Sequence, residues 1–244
     1  MKPAQPETAE ITQPRAVSVQ TGSSSPPPFQ HRFISADRAE PGPEPALVLL
    51  HDSGENETQL LAVVEAASED GKANVIALRG LFAYENGFSF LDTPGNAEPG
   101  ESLFIERANR ISEFLEWAVQ EYGIDPAKIV MFGAGDGATL AVTLLFVHSE
   151  LLGGAVLYRP KSPFRPKPLP ALPCYPILLI NPKNESKEEK SAAEALAQLL
   201  FDCGCSVRKV RVPDNHRCEE KAVKAIRAWY KKVAATDISI ECAL

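Results

Sequence analysis

The sequence predicts an α/β fold, a doubly wound and mainly parallel central sheet with helices on both faces. Three observations predict it. Short apolar runs recur at 46–50, 74–78, 128–132, 154–158 and 176–180. Between them lie segments whose apolar residues fall at three- and four-residue spacing, the period of a helix packed on one side. The runs themselves are continuous rather than alternating, as in strands covered on both faces.

In chain order, 31–36 reads as a first edge strand and ALVLL at 46–50 as a fully buried one. Residues 57–69 form a helix with Leu60, Leu61, Val63 and Val64 on its apolar face, and NVIAL at 74–78 is the next strand. Residues 79–102 show no clear period and carry Phe82, Tyr84, Phe88, Phe90 and Pro94. A long aromatic loop of this kind either shapes a pocket or glues itself to the core. Residues 103–122 are the clearest helix, with Ile111, Phe114, Leu115, Ala118, Val119 and Tyr122 on one side and Gly123 as its stop. KIVMF at 128–132 is the central strand, followed by a helix from 137 to about 148 and GAVLY at 154–158. A proline-laden stretch, 160–173, crosses to PILLI at 176–180. The chain then alternates once more, with a helix at 186–203, a strand at 206–212 and a helix at 218–234. In such sheets ligands bind at the carboxyl ends of the strands, so the loops after 50, 132, 180 and 212 share the rim where chemistry is expected.

Composition sets the outer limits. The 244 residues suit one large domain, and 44% hydrophobic content suffices for a sizeable core. A net charge of −7 and a pI near 5.3 argue against bulk electrostatic binding to nucleic acid or to an anionic membrane. No apolar run approaches the roughly 18 residues of a membrane span, and the first residues lack a secretory pattern. The five cysteines, Cys174, Cys203, Cys205, Cys218 and Cys242, form no zinc-like double pair and read as reduced thiols in the cytoplasm. Residues 1–30, rich in Pro, Ser, Thr and Gln, read as a disordered tail, either inert or, as the alternative, a docking segment for a protein partner. The folded domain is expected over 31–234, with a short second tail at 235–244.

The central strand runs into Gly133, Ala134, Gly135, Asp136 and Gly137 and then into a helix. This is the frame of a nucleophile elbow, G-x-S-x-G, with Gly135 where the serine belongs.

LLHDSGENE (49–57), RGLFAYENG (79–87), GAGDGA (133–138), GAVLYRP (154–160), LLINPKNE (178–185) and NHRCEE (215–220) resemble, in order and spacing, the phospholipase/carboxylesterase family of α/β-hydrolases. The likeness is greatest to small bacterial carboxylesterases of the hydroquinone-resistance type, and it covers about 30–234. Enzymes of this family cleave carboxylic or thio-esters with a Ser-Asp-His triad and need no cofactor. The histidine takes the serine's proton, the acid orients the histidine, and two backbone N–H groups hold the oxyanion. By resemblance the nucleophile falls on Gly135, the acid on Asn184 and the base on His216. The oxyanion donors fall on the backbone of Ser53 and Asp136. The family's HG-x-GG loop stands here as His51, Asp52, Ser53, Gly54 and Glu55, with two glycines replaced by acids.

The departures come as a set. Glycine offers no nucleophile. Asparagine cannot offset an imidazolium charge, and that exchange alone costs about 10⁴ in rate in a serine protease. Asp52, Glu55 and Asp136 add negative charge to a site meant to stabilise it. These features favour a pseudo-hydrolase that binds a small, ester-like molecule or a protein partner. The alternative is an active, serine-independent esterase in which Asp136 is the nucleophile and His216 the base. Ser53 and Cys218 are weaker nucleophile candidates, and Glu185 could stand in for the lost acid. His51 reads as a hydrogen-bonded structural residue. No ligand spacing demands a metal.

Overall fold

The computed structural model describes residues 28–36, 46–68, 73–92, 99–213 and 218–235. Most of both expected tails, and His216, lie outside these residues.

Nine described strands alternate with five helices. The strands are β1 (His31–Ile34), β2 (Ala46–Leu50), β3 (Val75–Leu78), β4 (Phe82–Tyr84), β5 (Gly87–Ser89), β6 (Ile129–Ala134), β7 (Gly154–Tyr158), β8 (Pro176–Pro182) and β9 (Ser206–Val212). The helices are α1 (Leu61–Ala67), α2 (Glu101–Tyr122), α3 (Asp136–Val147), α4 (Lys187–Asp202) and α5 (Cys218–Ala235). Seven strands form one sheet in the order β1-β3-β2-β6-β7-β8-β9. Only β1 runs antiparallel to its neighbour; every other pairing in this sheet is parallel.

Continuous apolar strands make two cores. In β2, Ala46, Val48 and Leu50 face one layer, while Leu47 and Leu49 face the other. The strand's period of two thus serves both faces at once. The first core takes in Phe104, Ile111, Phe114 and Leu115 from α2, Leu140 and Leu144 from α3 and Leu196 and Leu200 from α4. The second is closed by Val64 of α1 and Ile226, Trp229 and Tyr230 of α5. This is the doubly wound arrangement expected from the alternation.

Two expectations are corrected. The segment 79–102 is not irregular throughout, since β4 and β5 pair there as an antiparallel hairpin. Three-residue strands are too short to show a period, which is why the pattern escaped notice. Residues 57–60 form turns rather than helix, because their side chains are used elsewhere. Asn56 Oδ1 accepts the Thr58 N–H at 2.9 Å, and Gln59 Oε1 accepts the Asp52 N–H at 2.9 Å. A third correction concerns the thiols. Cys174 is disulfide-bonded, whereas Cys203 and Cys205 are free and buried. Spacing alone gave no sign of that bond. Burial pushes the Cys205 thiol up to about 12, so it is inert as a nucleophile.

Register brings the rim together. Leu50 pairs with Gly133, and Gly133 with Leu157, so β2, β6 and β7 end at nearly the same height. Gly137 in the first turn of α3 lets that helix lean on the end of β2; a Cβ there would lie 2.3 Å from the Leu50 carbonyl oxygen.

Candidate active site

The site is built where β2 and β6 end. Gly135 joins β6 to α3 with φ 51° and ψ −115°. Only glycine adopts such a backbone without strain. The position therefore has the sharp strand-to-helix turn of an elbow apex but no side chain to present. Its N–H donates to the Tyr158 carbonyl at 2.9 Å, and its carbonyl accepts from the Thr139 N–H at 3.0 Å.

The apex space is filled by Asp52. A Cβ built on Gly135 would lie 1.9 Å from Asp52 Oδ1, 2.1 Å from Cγ and 2.3 Å from Oδ2. The same Oδ1 accepts the backbone N–H of Ser53 at 2.9 Å and that of Asp136 at 3.1 Å. Those are the two groups that the family resemblance assigns to the oxyanion. One carboxylate thus stands in the nucleophile's volume and on both donors.

Asp136 points away from this contact. Its Oδ2 accepts the Ser53 hydroxyl at 2.6 Å. Ser53 Oγ also lies 2.9 Å from Ser89 Oγ, which accepts the Leu91 N–H at 3.0 Å. With its single proton spent on Asp136, Ser53 accepts from Ser89. The chain Ser89 to Ser53 to Asp136 therefore ties β5 to the start of α3 and leaves the Ser53 hydroxyl engaged.

The loop that carries Asp52 is braced on every side. His51 is buried, and its Nε2 accepts the Gly80 N–H at 2.9 Å. The proton must then sit on Nδ1, which donates to the Asp52 carbonyl at 2.7 Å. Burial lowers the His51 pKa below its ordinary value and keeps the ring neutral, outweighing the nearby carboxylates. The Gly54 N–H donates to the Phe88 carbonyl at 3.0 Å, and the Phe88 N–H to the Glu55 carbonyl at 2.8 Å. The hairpin that the sequence concealed is therefore a buttress for the 51–55 loop. Its aromatics act as glue: Phe90 is buried against the His51 ring, and Phe88 lies beneath the Arg79 guanidinium at 4.7 Å.

Behind the loop, Glu57 is buried and held by Arg79 through two bonds of 2.6 Å, with Arg32 Nε at 3.3 Å. The Arg79 guanidinium, aided by Arg32, holds the Glu57 carboxyl at about 2, well below the usual carboxylate range. This cluster fastens edge strand β1 and the end of β3 to the loop after β2.

The structure thus brings together His51, Asp52, Ser53, Gly54, Gly135 and Asp136. Asn184 sits exposed in the loop after β8, and no described bond links it to that group. Glu185 is committed elsewhere, accepting from Asn181 Nδ2 at 2.7 Å and from Arg211 Nη1 at 2.7 Å. His216 falls outside the described residues. Sequence reasoning missed Gln59, Ser89 and the turned-in carboxylate of Asp52. The available signal was the pairing of an apex glycine with an aspartate two residues past β2.

No family model matches the chain. MhqD of Bacillus subtilis (strain 168), a protein named as a hydrolase, is 27% identical over 187 residues, covering 76% of this chain and 92% of MhqD. The crystal structure of the Bacillus cereus carboxylesterase superposes with a TM-score of 0.76 at 29% identity, covering 84% of this chain and 94% of that one. YahD, solved with malic acid, shares the fold at a TM-score of 0.71 and 14% identity, covering 84% of this chain and 99% of YahD. Sheet order, elbow geometry and these similarities give the chain an α/β-hydrolase-like fold that resembles MhqD and bacterial carboxylesterases.

Proposed function

We propose that the chain is a pseudo-hydrolase, an α/β-hydrolase-fold protein that binds a small molecule or a partner and does not turn over esters. The observation that carries this reading is the apex itself. Gly135 has the backbone of the elbow, with φ 51°, and nothing beyond Cα to attack a carbonyl. Asn184 at the acid position supports the reading, since it cannot offset an imidazolium charge. The nearest carboxylate to the apex, Asp52, accepts hydrogen bonds from the donors that would stabilise a transition state. Asp136, the alternative nucleophile, has its Oδ2 bound by Ser53.

The test is hydrolysis of short-chain p-nitrophenyl esters by the purified full chain. The reading expects a rate equal to that of heat-denatured protein. Saturable turnover above that background contradicts it.

A further inference from the structure

Resting on this reading of the elbow, we propose that Asp52 is an internal ligand of the oxyanion-type hole. It closes the hole to external carboxylate and ester oxygens, and the hole accepts a small monocarboxylate when the Asp52 side chain is absent. Three observations carry the idea.

First, the donors come from separate elements. The Ser53 N–H belongs to the loop after β2 and the Asp136 N–H to the first turn of α3, yet both converge on Asp52 Oδ1 at 2.9 and 3.1 Å. Two N–H groups converging at a helix N-terminus favour an anionic oxygen. Here the oxygen is covalently part of the chain.

Second, the carboxylate excludes any apex side chain. All three of its heavy atoms, Cγ, Oδ1 and Oδ2, lie within 2.3 Å of where a Gly135 Cβ would be. Asp52 and a nucleophile cannot share that volume, so aspartate at 52 and glycine at 135 form a matched pair.

Third, the backbone of the hole does not depend on the Asp52 side chain. Gln59 holds the Asp52 N–H. His51 and the Glu55 N–H hold its carbonyl. Phe88 pairs with Gly54 and Glu55 on the far side. Removing the carboxylate leaves the Ser53 and Asp136 donors aimed at one emptied point, and the competing Asp136 carboxylate stays with Ser53.

Thermal unfolding tests the proposal by chemical rescue. Wild type and Asp52→Ala are melted in sodium chloride and in sodium formate at equal ionic strength. The variant is expected to melt lower than wild type in chloride and to recover part of the loss in formate, saturably. Wild type and Asp52→Asn, in which the space stays filled, are expected not to respond. An identical formate response in wild type and Asp52→Ala overturns the proposal. Should Asp52→Ala not fold in chloride, recovery of folded protein in formate becomes the readout, and no recovery in formate counts against it. A second measurement is a mutant cycle. Gly135→Ala should lower the melting temperature more in wild type than in Asp52→Gly, because backbone strain is common to both and only the overlap with Asp52 differs. Equal losses overturn the proposal. Neither readout involves turnover, so failure here is distinct from failure of the pseudo-hydrolase reading, which ester hydrolysis alone reveals.

Discussion

The Asp52 carboxylate occupies the space above Gly135, with Oδ1 1.9 Å from where a Cβ on that glycine would stand. This relationship changes what is needed to rebuild a hydrolase on the scaffold. Gly135→Ser with Asn184→Asp restores the acid and the nucleophile by type, but the new serine collides with Asp52. We expect that double variant to remain unlabelled by a fluorophosphonate. Adding Asp52→Gly frees the volume and both donors, and the triple variant should label covalently. Each restored oxyanion donor is worth about 3 kcal/mol in the transition state, roughly a hundredfold in rate. Labelling of the double variant at the rate of the triple would show that Asp52 is no obstacle.

His51 gives a prediction in pH. Its folded pKa is lowered by burial, while the unfolded chain keeps the ordinary value of 6.5. Between the two values the unfolded state binds the extra proton, so stability is full above about 6.5 and declines as pH falls toward the folded pKa. His51→Leu should abolish that decline. It should also cost about 2–4 kcal/mol at neutral pH, because the Gly80 N–H and one acceptor position on the Asp52 carbonyl lose their partner. Urea unfolding of both proteins from pH 5 to 8 measures it.

Glu57 extends the same experiment to lower pH. Its folded pKa of about 2 lies below the ordinary 4.5. The Arg79 and Arg32 bonds therefore contribute fully above 4.5, and the contribution is lost as pH falls from there through 2. The shift corresponds to at most about 3 kcal/mol. Glu57→Gln should remove this acid dependence and destabilise the protein at neutral pH by about 1–2 kcal/mol, since it takes the counter-charge from the partly exposed Arg79 and the exposed Arg32 guanidinium groups. An acid-unfolding curve unchanged by the substitution would show that the cluster is not the cause.

Much of the sheet was legible because its strands are buried on both faces. GAVLY at 154–158 and SVRKVRV at 206–212 coincide with β7 and β9, and the apolar runs at 46–50 and 176–180 locate β2 and β8. The helices at 103–122 and 186–203 were readable from their apolar spacing to within two residues at each end. The β4–β5 hairpin was not, because three-residue strands carry no period, and the bridge from Phe88 to Glu55 that ties the hairpin to the 51–55 loop is a long-range contact. At the site, the apex glycine and the acids at 52, 55 and 136 were all visible as residues. What the sequence could not reveal was direction. Asp52 turns inward to the Asp136 N–H, 84 residues away, and Asp136 turns aside to Ser53. Both orientations arise from long-range contacts that no local pattern encodes.

The most direct test of the central claim is ester turnover by wild type beside Asp136→Ala and His216→Ala. With no nucleophile at Gly135 and Asp52 in the hole, all three proteins should give the same background rate on short p-nitrophenyl esters. Turnover in wild type that either substitution abolishes would contradict the account and establish Asp136 and His216 as a working pair.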